Sequence, residues 1–253
     1  MMEPANTADS AGQPWAGRHF EPNPSADDDG SAPPLLLEAL RKFRGGEGGE
    51  TDVVEAFCAS RLLIPLVTAL GEAGLDDRGR TIDKSQELSI VTVEGPDGRT
   101  VLPAFSSVEA MAAWNPNARP VPVSGPRVAA AAASEGTDLV VLDPTSETEF
   151  VLRRPALWSI VRDENWVPSY RSEAVAREFA ASVAGEPVVL AVALTAGDPQ
   201  ARLLGPELVV SLTLAAGLDA DELEGLLSRL SSRWATSETI AQQVDSLEVA
   251  LTS

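Results

Sequence analysis

Ser124, Gly125 and Arg127 stand close together in the stretch SGPR, and together they could bind a small anion. Gly125 and Pro126 precede the Ala-rich run RVAAAAASEG, so the stretch would form the N-terminus of a helix, where backbone N–H groups are free. Ser124 would add a hydroxyl group and Arg127 a positive charge. One glycine and one arginine do not make a phosphate loop or a dinucleotide fingerprint, and ordinary helix capping explains the same residues.

Four carboxylates surround a predicted buried strand and the turn that follows it: Asp138, Asp143, Glu147 and Glu149. Two carboxylates held close together could perform acid–base catalysis or bind a hard cation. However, Asp143 precedes a proline, which is typical of a turn, and glutamates on a loop are commonly solvated. A hydrolase or lyase that uses these carboxylates is therefore the alternative function that the sequence leaves open.

The residue types present argue against other catalytic chemistries. The chain has one cysteine, Cys58, in an apolar helical context, and one histidine, His19, in an N-terminal stretch of low complexity. A disulfide within the chain and a Cys/His metal cluster are therefore excluded, and no G-x-S-x-G motif marks a nucleophilic serine. Lys84 and Ser85 are adjacent in a loop, which is poor geometry for a catalytic dyad. We predict no catalytic residue, no metal ligand and no cofactor, and hence a protein that is not an enzyme.

A surface for a partner is the remaining candidate, and it centres on Trp114. Trp114 ends a predicted short helix, and Arg119 begins the run RPVPV, in which Pro120 and Pro122 lack the N–H groups that a paired strand needs. Aromatic side chains beside a half-paired strand are common materials of protein recognition, although each tryptophan could equally fill a core short of aromatic residues. With the SGPR stretch, the predicted ligand or partner surface comprises Trp114, Arg119, Ser124, Gly125 and Arg127.

The elements that must position these residues alternate between strands and helices. Two alternating apolar runs, ELSIVTVEG and RTVLPAFS, flank the turn residues GPDG and predict a β-hairpin. Ser106, with Glu109 three residues later, predicts a capping box at the start of the helix SVEAMAAW. Asp52 and Glu55 predict the same device at the start of the helix DVVEAFCAS. The run RPVPV predicts a strand at the edge of a sheet.

These patterns predict an α+β fold of two small mixed-sheet domains with helices packed on the sheets. The first domain covers residues 35–168, and the second, in the order α-β-β-α-β, covers residues 169–253. Residues 1–34 bury too little apolar surface to offset the entropy of ordering them, so we expect a disordered acidic leader. Trp15 and Phe20 are unusual in such a leader and could dock on the folded body or on a partner.

Charge and hydropathy limit the partners and the location. The chain carries 38 Asp and Glu residues against 19 Lys and Arg residues, a formal net charge of −19. Nucleic acids and anionic membranes are bound mainly through lysine and arginine, so neither is expected as a partner. No apolar run is long enough to span a membrane, and the N-terminus MMEPANTADS lacks the features of a secretory signal. We expect a cytoplasmic protein, and the excess of arginine over lysine is typical of a high-GC bacterial genome.

Three segments that follow in one order carry a resemblance to a known family: VLPAFSSVEAMAAW, RPVPV and VLDP. The segment from residue 35 to about residue 165 resembles the N-terminal domain of the SseB family, which is named for enhanced serine sensitivity. The remainder resembles the C-terminal domain that is often found with it. The resemblance implies a cytosolic protein and transfers no catalytic, cofactor or binding residue. We therefore predict a non-enzymatic module that binds a protein partner or a small anionic metabolite, with self-association through the apolar C-terminal strands as a further hypothesis.

Overall fold

Helices and strands are interspersed along the chain. The computed structural model describes residues 28–68, 74–75, 81–82 and 88–252. The helices are α1 (Pro34–Arg44), α2 (Glu50–Cys58), α3 (Val108–Trp114), α4 (Gly125–Ser134), α5 (Arg154–Arg162), α6 (Glu173–Val183), α7 (Ala220–Thr236) and α8 (Glu238–Gln243). The strands are β1 (Arg61–Thr68), β2 (Gly74–Leu75), β3 (Thr81–Ile82), β4 (Leu88–Ile90), β5 (Val93–Glu94), β6 (Thr100–Ala104), β7 (Arg119–Ser124), β8 (Leu139–Leu142), β9 (Phe150–Arg153), β10 (Val189–Ala196), β11 (Leu208–Leu214) and β12 (Leu247–Thr252). Among the described helices, none combines the length and the apolar character needed to cross a membrane.

The larger sheets of the first half meet at one bridge. The first has the order β4-β1-β7, with antiparallel neighbours. The second has the order β5-β6-β8-β9, in which β6 and β8 are parallel and the other neighbours antiparallel. Leu63 of β1 and Phe105, directly after β6, exchange both backbone hydrogen bonds, at 2.8 and 2.9 Å, and so join the two sheets. The short strands β2 and β3 pair with each other.

An apolar core lies between α1, α2, α4 and α5 and one face of these strands. On α1, Leu36, Ala39 and Leu40 have the spacing of one helix face, and all three are buried. Alternate residues of β6, β8 and β9 point to the opposite face, where they form a second apolar cluster. That cluster comprises Val101, Leu139, Val141, Val151 and, from the second half of the chain, Leu203. Both faces of the β5-β6-β8-β9 sheet are therefore apolar.

The second half of the chain builds a three-stranded mixed sheet with the order β10-β11-β12. β10 and β11 are antiparallel, whereas β11 and β12 are parallel. Helices α6, α7 and α8 pack on one face, and the rings of Phe179 and Trp234 lie there with centroids 5.3 Å apart. Helices packed on mixed sheets around two apolar cores confirm the predicted α+β class.

The predicted capping box at Ser106 is wrong. Helix α3 is capped by Ser107, whose hydroxyl oxygen accepts a hydrogen bond from the Ala110 N–H at 3.0 Å. Ser106 is buried, and its backbone N–H and its hydroxyl group both donate to the Asp143 carboxyl group, at 2.7 Å each. Hydrogen bonds to a carboxylate are stronger than those between neutral groups, so the buried acid and not the helix start determines where Ser106 points.

Two further boundaries differ from the sequence prediction. Helix α2 begins at Glu50, because Gly49 is the N-cap residue and its N–H donates to the Asp52 carboxylate at 2.8 Å. The predicted hairpin is present as β5 and β6, with Gly98 of its turn at φ +80°. Its first arm is divided, however, because β4 pairs with β1.

The described chain begins with a short segment held against the start of α3. The Arg61 guanidinium group pairs with the Asp28 carboxylate, with 2.7 Å between Nε and Oδ2. The Gly30 carbonyl oxygen accepts a hydrogen bond from the Val108 N–H at 2.9 Å. The rest of the predicted disordered leader, residues 1–27, lies outside the described residues.

Candidate functional site

The stretch SGPR, predicted as an anion site, is used for packing. The Gly125 N–H donates to the Ser60 carbonyl oxygen at 3.2 Å. A Cβ atom on Gly125 would lie 2.2 Å from the Phe57 carbonyl oxygen in α2. Ser124 and Arg127 are exposed, and the Ser124 hydroxyl group makes no capping bond. The close approach of α4 to α2 therefore explains the glycine, and its N–H is not free to bind an anion.

The predicted carboxylates do not come together as a catalytic group. Asp138 is exposed before β8, and Asp143 follows the strand, about 17 Å further along it. Asp143 is fully buried, and burial raises its pKa although hydrogen bonds from Ser106 and Thr148 act to lower it. Glu147 is exposed on the following turn. Within the described ranges, no group of three or more His, Cys, Asp or Glu residues could hold a metal ion.

Strand β7 lies at a sheet edge, as predicted, and its prolines face the open side. Gly125 and Ser60 form a hydrogen-bonded pair, and bonded and non-bonded pairs alternate along antiparallel strands. By this alternation and the observed register, Pro120 and Pro122 face away from β1. Since proline has no N–H, the open edge offers carbonyl groups and few donors. Recognition of a peptide by adding a strand is therefore not expected at β7.

Trp114 lines an open groove on the face of the β5-β6-β8-β9 sheet that lies opposite the helices. The groove has a volume of about 440 Å³, within the usual range for ligand pockets. The Trp114 ring is half-buried and packs on Phe105, with centroids 5.3 Å apart. Trp114 is thus both a packed residue and part of the groove wall. The apolar floor is formed by Val93, Val101, Pro103, Val141 and Val151.

The charged groups of this Trp114 groove are two carboxylates and one guanidinium group. Glu94 is exposed at the tip of the β5-β6 hairpin. Glu149 accepts a hydrogen bond from the Thr145 N–H at 2.6 Å. The Arg202 guanidinium group lies 3.4 Å from the Ser146 carbonyl oxygen. Two of the three charged side chains that line the groove are therefore carboxylates.

The residues of the predicted surface fall at two separate places. Arg119 follows Ala118, which packs against the same small cluster as Trp114. Ser124 begins the SGPR stretch at the other end of β7, about 17 Å away along the strand. Cys58, in the apolar helical context noted in the sequence, is a half-buried free thiol that packs against the main core. Five other residues weighed for a role lie outside the described residues: Trp15, His19, Phe20, Lys84 and Ser85.

A buried ionic cluster between the two halves of the chain was not predicted from the sequence. Arg153 is 8% exposed and donates to the carboxylates of Asp198 at 2.7 Å and Asp245 at 3.1 Å. Arg99 donates two hydrogen bonds of 3.0 Å to Asp245. These partners are 45 to 146 residues apart, so no local spacing indicates them. The adjacent arginines 153 and 154, in a chain poor in cations, are the one available signal.

A cavity of about 20 Å³ lies beside this ionic cluster, between the two halves of the chain, and is called the seam cavity below. Its lining includes Glu50, Glu207, Trp166 and Tyr170. Burial, together with the charge of Glu207, raises the pKa of Glu50 to about 7. Burial also raises the pKa of Glu207. Within the described chain, the buried Trp166 Nε1 has no hydrogen-bond partner. The volume suits about one water molecule, so this cavity is part of the contact between the halves and not a metabolite site.

Comparison with known proteins connects these elements to a family. Residues 36–159 match the family model of the SseB protein N-terminal domain. No curated protein and no solved structure matches the chain. The match ends within α5, so the assignment of residues 169–253 to an SseB C-terminal domain stays a prediction. The matched residues include Trp114 and all four strands of the sheet that carries the groove. The chain therefore belongs to the SseB family, and the candidate site lies in its SseB N-terminal domain.

Proposed function

We propose that this SseB-family protein is a non-enzymatic cytoplasmic binding module, and that the Trp114 groove holds an apolar side chain from a partner protein. The observation that carries the proposal is the groove itself, with its volume of about 440 Å³, its apolar floor and its half-buried tryptophan. An apolar concavity with a few polar groups at its rim is the usual form of a binding site. Aromatic residues in such positions supply much of the binding energy of protein interfaces.

The charge of the rim indicates which segment of a partner fits. Glu94 is exposed, Glu149 also lines the groove, and Arg202 is the one cation among the lining residues. A lysine or arginine next to the inserted side chain would pair with Glu94, whereas an anionic ligand would meet two carboxylates. We therefore propose a peptide segment with an aromatic side chain next to a basic residue, in preference to a small anionic metabolite.

The expected affinity follows from the area that one side chain buries. An aromatic side chain that buries about 150 Å² contributes about 4 kcal/mol. An exposed ion pair at the rim adds about 0.5 to 1 kcal/mol. A short peptide should therefore bind with a dissociation constant of about 0.1 to 1 mM, and a longer partner should bind more tightly through further contacts.

A labelled synthetic peptide tests the proposal. The probe is a fluorescein-labelled peptide with an Arg-Trp pair between Gly-Ser flanks, and fluorescence polarisation follows its binding to the full chain. Trp114→Ala should weaken binding about tenfold, because it removes part of the groove wall. Trp158→Ala is the matched control, since Trp158 lies on α5 against Arg154 and outside the groove.

A second variant separates binding from folding. Trp114 also packs on Phe105, so its replacement disturbs a small apolar cluster. Glu94 is exposed, and Glu94→Lys should weaken the Arg-Trp probe several-fold without loss of core packing. A probe with Ala in place of its Trp should bind no variant. Equal binding of the Arg-Trp probe by the wild type, Trp114→Ala and Glu94→Lys would contradict the proposal.

A further inference from the structure

The N-terminal segment leaves the folded body close to the Trp114 groove. Asp28 is held by Arg61, and the Gly30 carbonyl oxygen is held by the Val108 N–H. Val108 begins α3 and Trp114 ends it. A helix of this length spans about 10 Å. The chain that precedes Asp28 therefore departs about one short helix away from the groove.

The length of that chain is sufficient to reach the groove. Phe20 stands eight residues before Asp28 in the sequence, and eight residues span at most about 26 to 29 Å. This reach exceeds the length of α3 more than twofold. The segment WAGRHF, from Trp15 to Phe20, can therefore be delivered to the groove of its own chain without strain on the connection.

The chemistry of WAGRHF matches the groove. Trp15 and Phe20 are the aromatic residues of the first 27, and Arg18 is the single lysine or arginine among them. The groove has an apolar floor, and Glu94 is exposed at its rim. The segment therefore offers an aromatic side chain on each side of Arg18. The proposed ligand of the groove has the same chemistry, an aromatic side chain next to a basic residue. The chain has twice as many acidic as basic residues and few aromatic residues, so most of its segments lack this combination.

We propose that the segment Trp15–Phe20 binds the Trp114 groove of its own chain and competes there with the partner peptide. This inference rests on the proposed function, because both ligands use the same groove. A short connection gives the segment an effective concentration of about 1 mM. With an intrinsic dissociation constant of about 0.1 mM, the segment reduces the apparent affinity for a partner about tenfold. The segment therefore raises the concentration or the affinity that a partner needs in order to occupy the groove.

The test uses the full chain, in which Trp15 and Phe20 are both replaced by alanine. The Arg-Trp probe should bind this double variant about tenfold more tightly than the wild type. The matched control carries Asn6→Ala and Thr7→Ala, two leader substitutions outside the segment, and should bind like the wild type. Equal affinity of the wild type and the Trp15→Ala/Phe20→Ala variant, with binding still dependent on Trp114, would overturn the competition and leave the proposed function intact.

A second probe separates the two proposals if the Arg-Trp peptide does not bind. The labelled peptide of residues 13–22 is titrated into the Trp15→Ala/Phe20→Ala chain, with and without Trp114→Ala. Binding that is lost with Trp114→Ala supports the leader proposal, even if the proposed partner chemistry fails. Absence of binding, or binding that is unchanged by Trp114→Ala, overturns the leader proposal.

Discussion

Replacing Glu50 by glutamine should remove the part of the pH dependence of stability that this residue contributes at the contact between the two halves of the chain. Glu50 begins α2 and lines the seam cavity with Glu207. Burial raises the pKa of Glu50 from 4.5 to about 7, so the folded chain keeps a proton that the unfolded chain has lost. The resulting stability is fully present below a pH of about 4.5 and is lost as the pH rises through about 7.

The magnitude follows from the size of this rise in pKa. A rise from 4.5 to about 7 corresponds to at most about 3 kcal/mol. Because Glu50 is partly exposed, solvent reduces this to about 1 to 2 kcal/mol. Four charged groups face the carboxyl group: Glu207 and Asp198 raise its pKa, and Arg153 and Arg171 lower it. Arg153 is already bonded to two other carboxylates, so its charge is shared among several acids.

Urea unfolding between about pH 5 and about pH 8, followed by tryptophan fluorescence, measures the effect. The wild type should lose about 1 to 2 kcal/mol across this range, whereas Glu50→Gln should lose much less and exceed the wild type at the higher pH. Glu55→Gln is the matched control, since Glu55 is exposed on the same helix. Parallel profiles for the wild type and Glu50→Gln would refute the assignment of this pH dependence to Glu50.

Four substitutions test other parts of the structure by thermal unfolding or by activity assays. Gly125→Ala should destabilise the protein by at least about 2 kcal/mol, because its Cβ would lie 2.2 Å from a carbonyl oxygen of α2; an unchanged melting temperature would contradict that contact. Ser107→Ala should lower the free energy of unfolding by about 1 kcal/mol, because α3 loses its cap. Ser106→Ala should lower it by more, about 1 to 3 kcal/mol, because the buried Asp143 loses a hydrogen-bond donor. The reverse order would show that the capping assignment is wrong. Asp138→Asn should leave the free energy of unfolding unchanged, because Asp138 is exposed. The competing hypothesis, a carboxylate-dependent hydrolase or lyase, predicts turnover in assays with divalent cations and its loss in Asp138→Asn.

Local patterns were sufficient to predict the class of fold and several of its elements. The spacing of Leu36, Ala39 and Leu40 marks one face of α1, and the prolines of β7 restrict that strand to an edge. These signals depend on residues that are neighbours in the sequence. They therefore survive in the structure with small changes of boundary, such as the earlier start of α2.

Predictions failed where a distant residue determines what a local pattern does. Two adjacent serines fit the start of α3 equally well, and Asp143, which is 37 residues from Ser106, decides which of them is the cap. Likewise, a glycine at a helix start suits both an anion site and close helix packing, and the position of α2 beside Gly125 decides between them. The sequence singled out Trp114, but the groove floor comes from strands that are separate in sequence and could not be predicted from spacing.

The most direct test of the Trp114 groove as a binding site is an NMR titration of the ¹⁵N-labelled full chain with the Arg-Trp peptide. The chain has five tryptophans, so five indole N–H signals report on separate places, and single substitutions assign them. The Trp114 indole signal and the amides of β5 and β6 should shift progressively, whereas the signals of Trp158 and Trp234 should stay in place. Shifts confined to Trp158 or Trp234, or no shift at peptide concentrations up to about 10 mM, would contradict a binding role for the groove.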